Sequence, residues 1–186
     1  GAAKFSRLEE DLAEAQRFIH MQYFIWEHDR LTAELLPILL DRLAAGVEVR
    51  ISYDWVGCIT FPKRELRQLK RAGAQVEADV TDLLRINYRN HRKIVVVDGE
   101  HAWVGGHNVG VEYLGEDPRF GRWRDTHVRV SGPAALGCAL LFREDWEWAT
   151  GETLPAAPPE TVTTPGDESV LVMGSGPADK LEECAI

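Results

Sequence analysis

The residues best suited to chemistry are concentrated in one stretch of the chain, residues 90–108. His91 and Lys93 stand two positions apart, and Gly105, Gly106 and Asn108 follow in the same stretch. Glycine lets a bound group approach the backbone closely, and asparagine supplies a short amide donor. An imidazole, an ammonium group, an amide and open backbone together suit a tetrahedral oxyanion such as a phosphate. The stretch therefore predicts chemistry on a phosphate group.

A predicted β-hairpin lies within this stretch. Residues 94–97 are all β-branched and end at the turn sequence Asp98-Gly99, after which residues 101–104 return as the partner strand. The place of Asp98 in the turn indicates a structural role, in which its side chain ties the hairpin through hydrogen bonds to the backbone.

The strand pattern also predicts which side chains meet. Alternate side chains of a strand share a face, so we expect His91 and Lys93 on one surface and Arg92 on the other. The imidazole and the ammonium group are therefore expected to be neighbours.

The complete spacing resembles the HKD motif of the phospholipase D superfamily, here in the form His91-x-Lys93-x4-Asp98-x6-Gly105-Gly106-x-Asn108. The surrounding residues look most like the first catalytic half of a bacterial cardiolipin synthase. Segments 19–24, 46–50 and 123–129 are similar to that family at the same relative places, so the resemblance covers nearly the whole chain. Family members of that type carry two such motifs, and this chain has one.

The resemblance implies a phosphatidyltransferase that moves a phosphatidyl group between two phosphatidylglycerol molecules. In that chemistry His91 is the nucleophile, and a phosphohistidine intermediate is resolved by a second alcohol or by water. Lys93 and Asn108 would hold the non-bridging oxygens. Asp125, on another predicted strand, is the candidate acceptor for the other imidazole nitrogen, which would fix the tautomer.

The resemblance also implies a wider set of site residues and no metal or cofactor. No cluster of His, Cys or Asp with metal-ligand spacing occurs in the sequence. The catalytic set expected by resemblance is His91, Lys93, Asp98, Asn108 and Asp125, and the expected substrate-binding residues are Arg92, Gly105 and Gly106.

Charge points to an anionic ligand rather than to a nucleic acid. The net charge is −9, which disfavours the clustered basic face of a general nucleic-acid binder. Basic residues nevertheless gather before the motif and again between residues 119 and 124. A cationic pocket in an acidic body is expected to attract an anionic head group. The partners that the resemblance implies are the head group of an anionic phospholipid, a membrane surface, and a second HKD half or a homodimer partner. The resemblance implies the cytoplasmic face of the bacterial inner membrane, with a membrane anchor outside this chain.

The rest of the chain alternates between helical and strand-like patterns and predicts an α/β fold, an α-β-α sandwich with a mixed β-sheet like one phospholipase D half. The predicted helices cover residues 4–17, 30–44, 62–73 and 133–150, and the predicted strands 19–26, 47–53, 75–78, 94–97, 101–104, 124–130 and 169–173. Asp54 follows the second strand, where it either lines the site or serves as a turn residue. Three cysteines without metal-ligand spacing are expected to be reduced packing residues.

Composition divides the chain into three parts. Residues 1–151 are expected to form the first phospholipase D-like domain, and residues 152–168, rich in Pro, Thr, Glu and Gly, a linker. Residues 169–186 are expected to open a second phospholipase D-like half that the chain end cuts short, with a helix beginning at residue 178.

Two other functions are compatible with a single motif. One is a homodimeric phosphodiesterase, phospholipase or nuclease that pairs two identical histidines across a two-fold axis. The other is a non-catalytic domain that binds anionic head groups. The remaining histidines lack a lysine two positions on, so none is a convincing acid for the leaving alcohol: His20, His28, His101, His107 and His127.

Overall fold

The computed structural model describes residues 1–59, 63–79, 89–156 and 166–174. In chain order the elements are α1 (Ala2–Glu14), β1 (Phe18–Tyr23), α2 (Arg30–Ala44), β2 (Glu48–Tyr53), α3 (Lys63–Ala72), β3 (Gln75–Ala78), β4 (Ile94–Val97), β5 (His101–Gly105), a short 3-10 helix η1 (Val111–Leu114), β6 (His127–Ser131) and α4 (Pro133–Thr150).

The strands form one mixed sheet in the order β3-β2-β1-β4-β5-β6. β1, β2 and β3 are parallel, whereas β4 is antiparallel to β1, β5 to β4 and β6 to β5. The ends of β1, β2, β3 and β5 and the starts of β4 and β6 therefore meet at one edge, which we call the site edge. The β4–β5 turn lies at the opposite edge, which we call the turn edge.

Helices cover both faces of the sheet. Inward side chains of β1 and β2, among them Ile19, Met21 and Ile51, are fully buried in one core with leucines of α1 and α2. On the other face Ile94 and Val96 of β4 pack against small residues of α4. The predicted α-β-α sandwich with a mixed sheet is confirmed.

Local sequence explains where two of the helices begin and end. The Asp29 side chain accepts hydrogen bonds from the first backbone N–H groups of α2, and that helix continues through Pro37. α4 begins with Pro133 in its first turn, where a missing N–H costs nothing, and ends at Gly151 in the left-handed conformation, with φ 76°.

Several predicted boundaries were wrong. α1 ends at Glu14 rather than at 17, β1 ends at Tyr23 rather than at 26, and β6 begins at His127 rather than at 124. Composition predicts that a strand or helix exists better than it predicts the residue at which it ends. Here the residues after Tyr23 leave the sheet and pair with the segment after β5.

The predicted strand at 169–173 is absent. Residues 166–174 have no regular secondary structure, and Val172 packs on α4 beside Gly137 instead of pairing with a sheet edge. Val172 is partly buried, whereas Val170, Leu171 and Met173 are exposed. The apolar composition of so short a run therefore does not by itself predict a strand. Cys58 and Cys138 are free and buried, as expected, whereas Cys184 and the predicted helix from residue 178 lie outside the described residues.

Candidate active site

His91 and Lys93 share one surface at the site edge, as the alternation of side chains predicts. The imidazole of His91 meets the Phe24 ring edge-on, with the ring centroids 4.3 Å apart. The Lys93 ammonium lies 5.1 Å from the centroid of the same ring, and its Nζ donates to the His91 carbonyl oxygen at 2.5 Å. Phe24, just past the end of β1, is thus the common neighbour of the imidazole and the ammonium group.

The surroundings favour a neutral imidazole beside a charged lysine. Partial burial lowers the pKa of His91, the positive charges of Lys93 and Arg89 lower it further, and Asp54 opposes them. Burial lowers the pKa of Lys93 to about 8, against the opposing effects of Asp125 and Asp54. Near neutral pH His91 therefore retains the lone pair that a nucleophile needs, while Lys93 retains most of its charge.

Asp54 contributes to the site mainly through an arginine. Its carboxylate is buried at the end of β2 and accepts hydrogen bonds from Arg89 Nε at 2.8 Å and Arg89 Nη2 at 2.6 Å. The guanidinium of Arg89 in turn lies 4.5 Å from the centroid of the Phe24 ring. Of the two expectations for Asp54, the geometry favours a residue that lines the site, because it holds a cation against the aromatic ring that His91 and Lys93 share.

The two glycines of the motif lie against the start of β6 and the two residues before it. A side chain at Gly105 would approach the Thr126 carbonyl oxygen to 2.4 Å, and one at Gly106 would approach the Asp125 carboxylate to 2.1 Å. Gly106 also donates its N–H to the Thr126 carbonyl oxygen at 3.0 Å. The close approach expected at these glycines is therefore made by the protein itself, and substrate binding by them stays a prediction.

Asn108 is buried and bonded to the protein through both ends of its amide. Its Oδ1 accepts from the Ile25 N–H at 2.9 Å, and its Nδ2 donates to the Tyr113 hydroxyl at 2.8 Å. These bonds hold the segment after β5 against the segment after β1, an arrangement continued by the Glu27 N–H bond to the Val109 carbonyl. Since an amide nitrogen carries two hydrogens, the second hydrogen of Nδ2 is the group left for the predicted contact with a substrate oxygen.

Asp125 lies at the site edge but is not bonded to His91. Its exposed side chain accepts from the Thr126 N–H at 2.7 Å and covers Gly106. Within the described residues, the imidazole of His91 has no hydrogen-bond partner at all. The predicted role of Asp125 as the acceptor for His91 therefore stays a prediction.

Asp98, which the resemblance groups with the catalytic residues, is remote from them. It lies in the turn at the other end of β4, roughly 20 Å from His91 along an extended chain. Its carboxylate accepts from the backbone N–H groups of Gln16, Arg17 and Phe18 at 2.7 to 2.8 Å. The geometry gives Asp98 the structural function that its turn position indicates, with the bonds made to the start of β1.

Arg92, expected to bind substrate, faces the other side of the sheet. Its Nη1 contacts both carboxylate oxygens of Asp145 in α4, at 2.7 and 2.8 Å. Alternation along the strand predicts this separation from His91 and Lys93. Substrate binding by Arg92 stays a prediction, and in the structure its guanidinium group binds Asp145.

Sequence reasoning did not single out Phe24, Asp145 or the stacked pair His107 and His127. The two imidazoles of that pair are 5.5 Å apart at 18°, and no ring nitrogen of either has a hydrogen-bond partner among the described residues. Phe24 could have been found, because it follows a strand whose end reaches the site edge. Asp145 could also have been found, because it lies three residues after the buried Phe142 in a mostly apolar helix.

Comparison with known proteins identifies a family. A family model described as cardiolipin synthase, PLD-like domain, matches residues 8–117. Cardiolipin synthase A of Pseudomonas aeruginosa is 42% identical over 191 aligned positions, covering 100% of this chain and 39% of that protein. Cardiolipin synthase A of Pseudomonas fluorescens Pf-5 is 41% identical over 193 positions, covering 100% of this chain and 40% of that protein. The chain thus spans about two fifths of the length of these curated relatives.

Solved structures share the fold at low sequence identity. NucT from Helicobacter pylori superposes with a TM-score of 0.61 at 12% identity, over 78% of this chain and 89% of that chain. Nuc from Salmonella typhimurium, a phospholipase D family member, gives 0.55 at 14% identity, over 77% and 86%. Phosphatidylserine synthase from Haemophilus influenzae gives 0.60 at 15% identity, over 80% and 35%. These similarities confirm the predicted phospholipase D-like fold.

Proposed function

The chain belongs to the family of cardiolipin synthase PLD-like domains, and from that premise we propose that it is one catalytic half of a phosphatidyltransferase. The proposed reaction transfers a phosphatidyl group from one phosphatidylglycerol molecule to another through a phosphohistidine. The observation that carries the proposal is the placement of His91 and Lys93 around the Phe24 ring at the site edge.

In the first step the neutral imidazole of His91 attacks phosphorus, a bond from nitrogen to phosphorus forms, and the bond from phosphorus to the leaving glycerol oxygen breaks. In the second step the hydroxyl of another phosphatidylglycerol attacks the same phosphorus and the bond from nitrogen to phosphorus breaks, which releases His91. The proton of that hydroxyl passes to the group that protonated the leaving glycerol in the first step. The lowered pKa of His91 supports this role, since a protonated imidazole has no lone pair to offer. Lys93 and the free amide hydrogen of Asn108 would stabilise the non-bridging oxygens of phosphorus.

The leaving glycerol oxygen must receive a proton, because an alkoxide is a poor leaving group near neutral pH. The other five histidines of the chain lack a lysine two positions on. We therefore assign the acid to a second HKD half, which is supplied by the same protein or by a second copy of the chain.

The proposed domain division follows from the same premise. Residues 1–151 form the first phospholipase D-like domain, residues 152–168 a linker, and residues 169–186 the start of a second half. The end of α4 at Thr150 supports a boundary there, as does the absence of regular structure at residues 152–156. No described helix is long and apolar enough to cross a bilayer. We propose that the chain works at the cytoplasmic face of the bacterial inner membrane on anionic head groups.

The test compares the isolated chain with the full-length protein on vesicles that contain radiolabelled phosphatidylglycerol. We expect labelled cardiolipin and free glycerol from the full-length protein, and none from the isolated chain when sedimentation shows it to be monomeric. A fully active monomer would refute the need for a second half. Activity confined to a dimer, with hydrolysis of phosphodiesters or nucleic acid instead of transfer, would replace the proposal with the homodimeric alternative. Head-group binding without turnover in either protein would leave only the non-catalytic alternative.

A further inference from the structure

We propose that Asp145 of α4 is a positioning residue for His91, an inference that rests on the proposed function of His91 as the nucleophile. Asp145 touches neither the imidazole nor the surface that carries Lys93. It acts on His91 from the opposite side of the sheet, through the residues that immediately precede and follow it.

Both sequence neighbours of His91 bind this one carboxylate. Asn90 Nδ2 donates to Asp145 Oδ2 at 2.6 Å, and Arg92 Nη1 contacts both oxygens at 2.7 and 2.8 Å. A third donor, Gln22 Nε2 of β1, reaches Oδ2 at 3.0 Å. The chain is therefore tied on each side of His91 to a carboxylate that is itself bonded to the centre of the sheet.

A further hydrogen bond restrains the backbone on both sides of His91. Asn90 Oδ1 accepts from the Arg92 N–H at 3.0 Å, so Asn90 bridges the backbone after His91 to Asp145. The side chains of Arg92 and Asp145 are 26% and 18% exposed, so the ion pair is largely shielded from solvent. A charge-assisted hydrogen bond of this kind is stronger than one between neutral groups.

His91 depends on this tie because its own ring is held weakly. Within the residues that the structure describes, the imidazole makes no hydrogen bond, and its recorded ring contact is the edge-on packing against Phe24 at 4.3 Å. Its place over Phe24 is thus set by the backbone from residue 90 to residue 92. A displacement of about 1 Å at a reacting group can reduce a rate by about a hundredfold, so a carboxylate that fixes this backbone affects catalysis without contacting substrate.

The test uses Asp145→Asn and Asn90→Ala in the full-length protein. Asp145→Asn removes the negative charge and replaces one acceptor oxygen with an NH2 group that cannot accept a hydrogen bond. Asn90→Ala keeps the ion pair between Arg92 and Asp145 and removes only the hydrogen bonds that Asn90 makes. The matched control is Glu144→Gln, which changes one charge on an exposed position of the same helix. Two quantities are measured: kcat and KM for phosphatidylglycerol, and the ring-current shift that Phe24 imposes on the ring protons of selectively labelled His91.

For Asp145→Asn we expect kcat to fall by about ten- to a hundredfold with KM within about twofold of wild type. For Asn90→Ala we expect a smaller fall in the same direction. In both variants the ring-current shift of His91 should decrease, while Glu144→Gln should change neither quantity. Thermal unfolding is measured for each variant to show that it is folded. If Asp145→Asn does not fold, the kcat and ring-current shift of Asn90→Ala test the proposal.

Unchanged kcat and an unchanged His91 ring-current shift in a folded variant would overturn the proposal, as would a change in KM alone. The ring-current shift does not depend on turnover. If His91→Ala retained activity, the nucleophile assignment would fail on its own, and the shift would still show whether Asp145 positions the imidazole.

Discussion

The two edges of the sheet, at either end of β4, use polar residues in opposite ways. At the turn edge the carboxylate of Asp98 accepts hydrogen bonds from three backbone N–H groups of residues 16–18. The backbone of Asp98 itself has a positive φ of 56°. At the site edge, within the described part of the chain, the rings of His91, His107 and His127 have no hydrogen-bond partner. One sequence motif thus contributes residues to both edges. Asp98 binds three backbone N–H groups at the turn edge, whereas the imidazole of His91 makes no hydrogen bond within the described residues at the site edge.

The largest expected effect tests the site edge directly. His91→Ala removes the nucleophile, and in the full-length protein we expect transfer and covalent phospho-enzyme to be abolished with the fold intact. The matched control is His101→Ala at the turn edge, where the imidazole pairs with Ser131 at 2.9 Å, and we expect it to retain transfer. The measurements are transfer of label from phosphatidylglycerol and trapping of the phospho-enzyme. Turnover of His91→Ala above about a hundredth of wild type would contradict the nucleophile assignment, since loss of a nucleophile typically costs far more.

The next effect concerns the groups that stabilise the phosphorus oxygens. Lys93→Ala and Asn108→Ala should each lose about 3 kcal/mol of transition-state stabilisation, the size found for one oxyanion donor. That loss corresponds to a fall in kcat of about a hundredfold. Steady-state kinetics would show it, and a change in KM with kcat preserved would mean that these residues only bind substrate.

Lys93 also predicts a pH dependence. Because burial lowers its pKa to about 8, kcat should decline as pH rises through about 8 and the ammonium loses its proton. Lys93→Arg, if active, should lack this alkaline decline, because arginine stays charged. A decline at the same pH in Lys93→Arg would show that another group titrates there.

At the turn edge the expected effect is on stability. Asp98→Ala leaves three backbone N–H groups without their charged acceptor and puts alanine at a positive φ, so we expect a loss of about 3 kcal/mol in the free energy of unfolding. Asp98→Asn tolerates that φ and keeps one acceptor oxygen, so its loss should be smaller. Denaturant unfolding measures both. A fall in kcat per folded molecule as large as that of Lys93→Ala would contradict the separation of the two edges.

The buried imidazole of His127, at the site edge, predicts a small dependence of stability on pH. Burial lowers the pKa of His127 to about 3, with the charge of Lys4 adding to the shift. Below its ordinary pKa of about 6.5 the unfolded chain binds a proton that the folded chain refuses, so stability falls as pH falls from about 6.5 towards 3. His127→Phe should remove up to about 1.4 kcal/mol per pH unit of this slope, as measured by denaturant unfolding between pH 7 and pH 5. An equal acid slope in wild type and variant would show that His127 titrates normally.

The sequence alone was enough to predict the family and most of the helices and strands. The spacing of His91, Lys93 and Asn108 predicted phosphate chemistry, and alternation along the strand correctly separated His91 and Lys93 from Arg92. Periodicity also predicted four helices and the strands of the sheet, because each must present an apolar face to the same core. These features depend on the order of residues within single helices and strands, so the sequence alone predicts them.

Which residues from other parts of the chain lie beside His91 and its neighbours depends on the tertiary structure. Phe24, Asp54 and Asp145 come from segments far from His91 in sequence. The sheet order β3-β2-β1-β4-β5-β6, with α4 on one face, brings them into contact with residues 89–93. The structure also shows that residues 169–173 form no strand, since Val172 contacts α4 while Val170, Leu171 and Met173 are exposed. Sequence spacing describes neighbours along one element, whereas contacts between elements depend on strand order and on which groups remain unsatisfied after the chain has folded.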